Sequence, residues 1–256
     1  ESESNIVTDI NEVIEQNNQW LYLIADLETE SGIKALAQYI ETTKKFYVFA
    51  RGGEGEGSPL PLFSDLADLG YDNTFYMYSS QAWNVSQFDG EIETTGNVPE
   101  AGWVAYFGSQ QAGSTIWIYK PIDGLVADNI SSNFASQLRD VHANYYSTIN
   151  DTAVMLGNNT VAGGEYIDVM VGVRWLETRM PEKIWGTMLN TAKLNFNSGG
   201  IAKIESDVRS VIAEAIRYNI LDAQPAPVVT LPNALDKSPA ERNTRNLTGV
   251  SFRAKL

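Results

Sequence analysis

Three alternations of a helical pattern with a short apolar run occupy the first 80 residues and limit the folds open to this chain. The helical patterns cover residues 7–16, 31–43 and 61–69, and the apolar runs cover residues 20–25, 46–50 and 74–78. Short runs that are apolar on both faces are typical of strands buried in a parallel sheet. The pattern therefore predicts an α/β fold, with a mainly parallel sheet and flanking helices in the N-terminal half.

Local signals place the ends of two of these helices. Ser31 is a suitable N-cap for the helix over residues 31–43, because its hydroxyl can accept a bond from the first turn. Pro61 stands in the first turn of the helix over residues 61–69, and Gly70 follows its last residue. Proline is favoured at the start of a helix and glycine just after its end.

The remaining chain predicts an α+β C-terminal half. Residues 81–100 lose periodicity and are expected to form a loop or insertion between a βαβ region over 1–80 and a C-terminal region over 101–256. The expected elements of that region are helices at 101–111 and 131–142, strands at 115–119, 144–149 and 152–156, two long helices at 165–180 and 199–218, and a terminal strand. A turn at Asn150 and Asp151 would join the strands at 144–149 and 152–156 into a hairpin. Pro181 either kinks the first long helix or starts a new one that runs to about residue 190.

Charge is distributed unevenly along the sequence. Residues 1–100 hold 18 acidic and 4 basic side chains, whereas residues 232–256 hold 2 acidic and 5 basic ones. Phosphate binding needs clustered Lys and Arg, so the acidic body argues against nucleic acid as a partner. The basic tail is expected either to be solvated or to meet an acidic surface, such as another copy of the chain.

Motifs for chemistry are weak. The glycine-rich loop at residues 52–57 lacks a Lys and carries two carboxylates, which disfavours phosphate binding. His142, preceded by Asp140, could belong to a catalytic triad, but the sequence has no nucleophile motif such as Gly-x-Ser-x-Gly. Asp26 and Glu28 stand at the end of a predicted strand, where a pair of acids could perform acid–base catalysis. We expect no enzyme activity, no cofactor and no metal, and we expect the tryptophans at 103, 117, 175 and 185 to be core residues.

Membrane insertion and disulfide bonding are not expected either. No apolar run approaches the roughly 18 residues that span a bilayer, and the acidic start is unlike a signal peptide. The chain has no cysteine, which suits a reducing cytosol. The sequence therefore predicts a soluble, unexported protein.

Several short segments resemble the tail sheath proteins of contractile bacteriophages. The segments, in chain order, are QWLYLI at 19–24, IKALA at 33–37, KFYVF at 45–49, GSTIW at 113–117, LVAD at 125–128, ANYYSTI at 143–149, GEYIDVMVGVRWLETR at 164–179 and GGIAKIE at 199–205. They span nearly the whole chain in the order that the family shows. The chain departs from the family at Pro181 and in lacking the family's N-terminal strands and final strand, so we expect a sheath core that is part of a longer chain.

The resemblance implies a mechanical function. Subunits of the family polymerise around a tail tube and contract to deliver the phage genome, in virions assembled in the host cytoplasm. The implied partners are other sheath subunits, the tail tube protein, the baseplate and the tail terminator, with no nucleic acid and no membrane. A sheath subunit of a bacterial contractile injection system and an α/β hydrolase-like enzyme remain the alternatives.

Family sheath subunits link through terminal arms that add strands to a neighbour's sheet. We expect the segment from about residue 243 to residue 256 to be part of such an arm, and this segment with the adjoining Arg242 is here called the terminal arm. Its candidate contact residues are Arg242, Arg245, Val250, Phe252 and Arg253. The basic tail would then meet the acidic N-terminal region of a neighbouring subunit.

Overall fold

A computed structural model describes residues 5–25, 27, 29–53, 58–82, 98–233, 238 and 246–256. The chain divides into two compact units, each considered by itself below. Unit 1 comprises residues 1–111 and 115–170, and unit 2 comprises residues 112–114 and 171–256. The predicted loop over residues 81–100 lies largely outside the described residues.

Unit 1 is built on a five-stranded sheet whose spatial order follows the chain order. Its strands are β1 (Tyr22–Ile24), β2 (Phe46–Arg51), β3 (Thr74–Tyr78), β4 (Asn144–Ile149) and β5 (Thr152–Leu156). The first four strands are parallel, and β5 returns antiparallel to β4. The predicted fold class is confirmed.

The described part of unit 1 contains the helices α1 (Ile6–Gln16), α2 (Glu30–Ile40), α3 (Leu60–Leu69), α4 (Pro99–Gly108) and α5 (Ser132–Asp140). The predicted cap of α2 was wrong by two residues. Thr29 is the N-cap, and its Oγ1 accepts the Gly32 N–H at 3.1 Å, while Ser31 lies inside the first turn. Gly70 ends α3 as expected, with the left-handed φ of 66° that a helix end readily gives to glycine.

Both faces of the sheet are buried, as the continuous apolar runs require. Tyr47 and Phe49 of β2 join one core with residues of α2, α3 and α5. On the opposite face, Phe75 lies edge-on to Trp103 of α4 and to Trp117, at centroid distances of 5.2 and 5.5 Å. Alternate side chains of each strand therefore serve different cores.

The strand predicted at residues 115–119 does not form. The segment has no regular secondary structure, although the Tyr119 N–H donates to the Met155 carbonyl at 2.8 Å and the Met155 N–H donates to the Lys120 carbonyl at 3.1 Å. Tyr119 has a φ of 59°, which turns the chain away from the extended path, and Pro121 has no N–H to extend the ladder. Pairing therefore stops after one residue pair.

The predicted hairpin at Asn150 and Asp151 is confirmed. Both residues have positive φ, 48° and 60°, as the two central positions of a tight hairpin turn require. The turn sets the register in which Ile149 faces Thr152.

Unit 2 contains most of the two long helices and a two-stranded sheet. The helices are α6 (Ile167–Leu189), whose first four residues belong to unit 1, and α7 (Ser198–Arg217); the strands are β6 (Val228–Thr230) and β7 (Ser251–Arg253). Pro181 lies inside α6, which does not end or restart there. The prediction that a new helix starts at Pro181 is therefore wrong.

The expectation that four tryptophans are core residues holds for Trp103 and Trp117, which are 0% and 2% exposed. Trp175 is partly buried against the α7 core. Trp185 is 61% exposed, so the prediction for it was wrong. The helical spacing of apolar residues had suggested that Trp185 is buried. The spacing does not show which side of α6 the α7 core covers.

Candidate assembly surface

The C-terminal residues of the chain form an antiparallel pair with an earlier strand of the same unit. Strands β6 and β7, here called the C-terminal ribbon, pair Val228 with Arg253, Val229 with Phe252 and Thr230 with Ser251. Of the predicted contact residues, Phe252 and Arg253 lie in β7 and Val250 immediately precedes it. Arg242 and Arg245 lie outside the described residues.

One face of the ribbon packs on α7. Val229, Val250 and Ala254 contact the core that α7 forms around Val211 and Ala215. An isolated pair of strands is marginal in water, so this apolar support is needed to hold the ribbon in place. Apolar and polar residues alternate from Val250 to Ala254, so one side of this segment can pack on the α7 core.

Asp222 ties the end of the ribbon to the chain that follows α7. Its N–H donates to the Lys255 carbonyl at 2.8 Å, and its Oδ2 lies 3.1 Å from the Lys255 Nζ. The Gln224 N–H and the Lys255 ammonium hold the pKa of Asp222 below its ordinary value. The last residues are therefore held by two bonds to one aspartate.

Each strand of the ribbon carries an exposed apolar side chain. Val228 is 59% and Phe252 is 38% exposed, and within the described residues each ribbon strand pairs with a strand on only one edge. An open edge with exposed apolar side chains is a template for a further strand.

A second feature of unit 2 is a polar groove of about 500 Å³ between the C-terminal half of α6 and α7. Its lysines, Lys183 and Lys203, make no ion pair with any other described residue. Asp207, also in the lining, is 7% exposed, and its Oδ2 has no hydrogen-bond partner among the described residues. We call this feature the polar groove.

The carboxyl ends of β2 and β3 open onto a crevice of about 760 Å³ in unit 1, where α/β enzymes bind ligands. Its lining includes Asp128, whose carboxylate is bonded to the backbone N–H and the hydroxyl of Ser80. The predicted acids Asp26 and Glu28 lie outside the described residues. Asp128 is thus occupied in joining two loops.

The other candidate residues for chemistry have structural partners. His142, with a φ of 57°, places its Nδ1 2.7 Å from the Ala162 carbonyl. Gly52 lies so close to the Ser79 carbonyl that a Cβ would stand 2.2 Å from it, so a glycine is needed there for packing. Most of the remaining loop, residues 54–57, is outside the described residues.

The described residues offer neither a metal-ligand cluster nor a membrane-spanning helix. No group of three or more His, Cys, Asp or Glu side chains there is placed to hold a metal ion. None of the described helices has both the length and the apolar character needed to cross a bilayer.

Sequence reasoning did not find the polar groove or the partner of the terminal strand. The groove residues of α6, at 179, 182, 183, 186 and 187, and Asn190 just after the helix recur at helical spacing, which could have indicated a polar helix face. Nothing in the sequence showed that α7 would lie beside that face.

Comparison of the fold with solved structures adds an independent observation. A chain of the cryo-EM structure of the anti-feeding prophage baseplate matches 98% of this chain and 68% of its own length, with a TM-score of 0.65. A chain of the helical sheath of the same prophage in its contracted state matches 90% and 72%, with a TM-score of 0.50. This chain shares their fold.

The likeness is one of fold alone, since the sequence identities are 11% and 12%. No protein-family model and no curated protein sequence matches the chain. The fold match to the baseplate chain nevertheless extends over 98% of the chain, and therefore into both units.

Proposed function

We propose that this chain is a structural subunit of the contractile tail sheath of a bacteriophage, which polymerises around the tail tube and contracts to drive genome delivery. The observation that carries the proposal is the shared fold over 98% of the chain with a component of an anti-feeding prophage particle. The order of the sheath-like sequence segments supports it independently. The proposed partners are other sheath subunits, the tube, the baseplate and the terminator, in virions assembled in the host cytoplasm.

The sheath subunit of a bacterial contractile injection system is the second candidate. It is favoured by the fact that both matched assemblies belong to a prophage that is described as anti-feeding. The two candidates share one mechanism, in which rigid subunits move between an extended and a shorter lattice and no bound nucleotide is needed.

The terminal arm has a defined part in this proposal. The ribbon offers an open edge and the exposed side chains of Val228 and Phe252, which suits addition of a strand from a neighbour. The support from α7 gives that ribbon a rigid base. Arg242, Arg245 and Arg253 are proposed to meet acidic side chains of the neighbouring subunit.

Negative-stain electron microscopy tests the proposal directly. The complete gene product that carries this chain is purified alone and together with the tube protein encoded beside it. Striated hollow tubes would support a sheath. A label on this protein would then show which particles contain it: particles with a packaged genome indicate a phage tail, and particles without one indicate an injection system. Monomers under both conditions, at high concentration, would contradict the proposal.

A further inference from the structure

The two units carry opposite net charge. Unit 1 holds 24 acidic and 6 basic side chains, a net charge of −18, whereas unit 2 holds 8 acidic and 12 basic ones, a net charge of +4. Two copies of such a chain attract each other most strongly when unit 2 of one meets unit 1 of the other. A contact of this kind uses different surfaces on the two copies, so it can repeat into an open polymer.

The lining of the polar groove carries three basic and two acidic side chains. Arg179 in its lining is neutralised by Glu182 and Glu214, at N–O distances of 3.5 and 3.3 Å. Lys183 and Lys203 have no such partner among the described residues. The groove thus presents two ammonium groups, one from α6 and one from α7, that no acidic side chain in the described part of the chain neutralises.

The groove also has features of an unfinished interface. The Oδ2 of Asp207 is buried and has no donor within the residues that the structure describes, and a buried acceptor without a donor costs free energy. Trp185, Met188 and Leu189, on the same turns of α6, are 61%, 48% and 69% exposed. Large apolar side chains beside a polar recess are common at protein–protein contacts.

We propose that the polar groove binds a carboxylate-bearing segment of unit 1 from a second copy of this chain. The acidic side chains would pair with Lys183 and Lys203, and a main-chain N–H of the same segment would satisfy Asp207. This inference rests on the proposed function, because it names a contact within the proposed polymer, and it is separate from the terminal arm.

Gly186 allows the groove to be blocked without disturbing the fold. A Cβ added at Gly186, which lines the groove, meets no atom within 4 Å. Replacing a glycine within a helix also raises helix propensity. Gly186→Tyr should therefore fold normally and fill the groove, and Ala213→Tyr, at an exposed position of α7 outside the lining, is its control.

Sedimentation velocity at increasing NaCl concentration measures the contact. Wild-type chains should associate, less so at high salt, and both Gly186→Tyr and Lys183→Glu/Lys203→Glu should weaken association by about tenfold or more. The control Lys120→Glu/Lys193→Glu makes the same change in net charge at exposed lysines outside the groove lining and should associate like wild type.

A mixture of chains tests the head-to-tail geometry. The Lys183→Glu/Lys203→Glu variant keeps its acidic unit 1, so it should bind one end of a wild-type polymer and shorten it. Groove variants that assemble normally into tubes would overturn this inference and leave the sheath proposal standing. Loss of tube-protein binding with unchanged self-association would assign the groove to the tube instead, and a wild-type chain that never associates would overturn both.

Discussion

The side chain of Asn144 accepts the backbone N–H of Asn159 at 3.0 Å on Oδ1, and through this bond strand β4 holds the loop that leads into α6. The Nδ2 of Asn144 donates to the carbonyls of Tyr76 and Thr160, both at 3.2 Å. The Nδ2 of Asn159 in turn donates to Asp168 at 2.7 Å. Asn144 and Asp168 belong to two of the sheath-like segments, so those segments are joined by one buried network.

We expect Asn144→Ala to lower the free energy of unfolding by about 3 kcal/mol, because three buried main-chain groups lose their partner. Urea denaturation followed by circular dichroism measures the change. Gln16→Ala, at the exposed end of α1, serves as the control and should change stability little. Equal stabilities of Asn144→Ala and wild type would show that water replaces the network at no cost.

Truncation of two tryptophans on different helices should change stability by very different amounts. Trp103 is fully buried against Phe75 and Trp117, so Trp103→Ala should cost about 3–5 kcal/mol. Trp185→Ala should change stability by less than about 0.5 kcal/mol, because that side chain is already in water. Thermal unfolding of both variants provides the comparison, and a large loss for Trp185→Ala would contradict the exposure of that side chain.

The bond between Asp222 and Lys255 should make the end of the ribbon sensitive to acid. The pKa of Asp222 is lowered in the folded chain, so its stabilising effect is present above the ordinary value of 3.8 and is lost as the pH falls through the lower, folded value. Amide exchange at residues 251–255, taken relative to the intrinsic rate at the same pH, should therefore become faster as that acidic pH is reached.

At neutral pH, Asp222→Asn should produce the same faster exchange, since it removes the charge on Asp222 but keeps a side-chain oxygen for the Gln224 N–H. Asp151→Asn, at the β4–β5 turn, provides a control with the same chemical change. Unchanged exchange in Asp222→Asn would mean that the main-chain bond and the α7 contacts alone hold the strand.

Reversal of the basic residues of the terminal arm should weaken assembly. The variant Arg242→Glu/Arg245→Glu/Arg253→Glu should raise the protein concentration needed for polymer formation and reduce its dependence on salt, because opposite charges would no longer meet. Light scattering across a salt series measures both effects. Polymer formation identical to that of wild type would remove the arm charges from the mechanism.

Local physical chemistry was enough to predict most of the regular elements. The strands at 46–50, 74–78, 144–149 and 152–156 and the helix at 199–218 were located to within a residue, because burial on both faces of a strand and on one face of a helix leaves a period in the sequence. The prediction for residues 115–119 failed because the period does not reveal the left-handed turn at Tyr119.

The sequence by itself therefore determined the α/β class, the mainly parallel sheet and the acidic character of the N-terminal region. Tertiary structure alone decided that α7 covers one side of α6 and leaves Trp185 in water, that Lys183 and Lys203 line one groove, and that β7 pairs with β6. These features depend on contacts between residues far apart in the chain. Such contacts are selected by the packing of whole helices and strands, which no local pattern encodes.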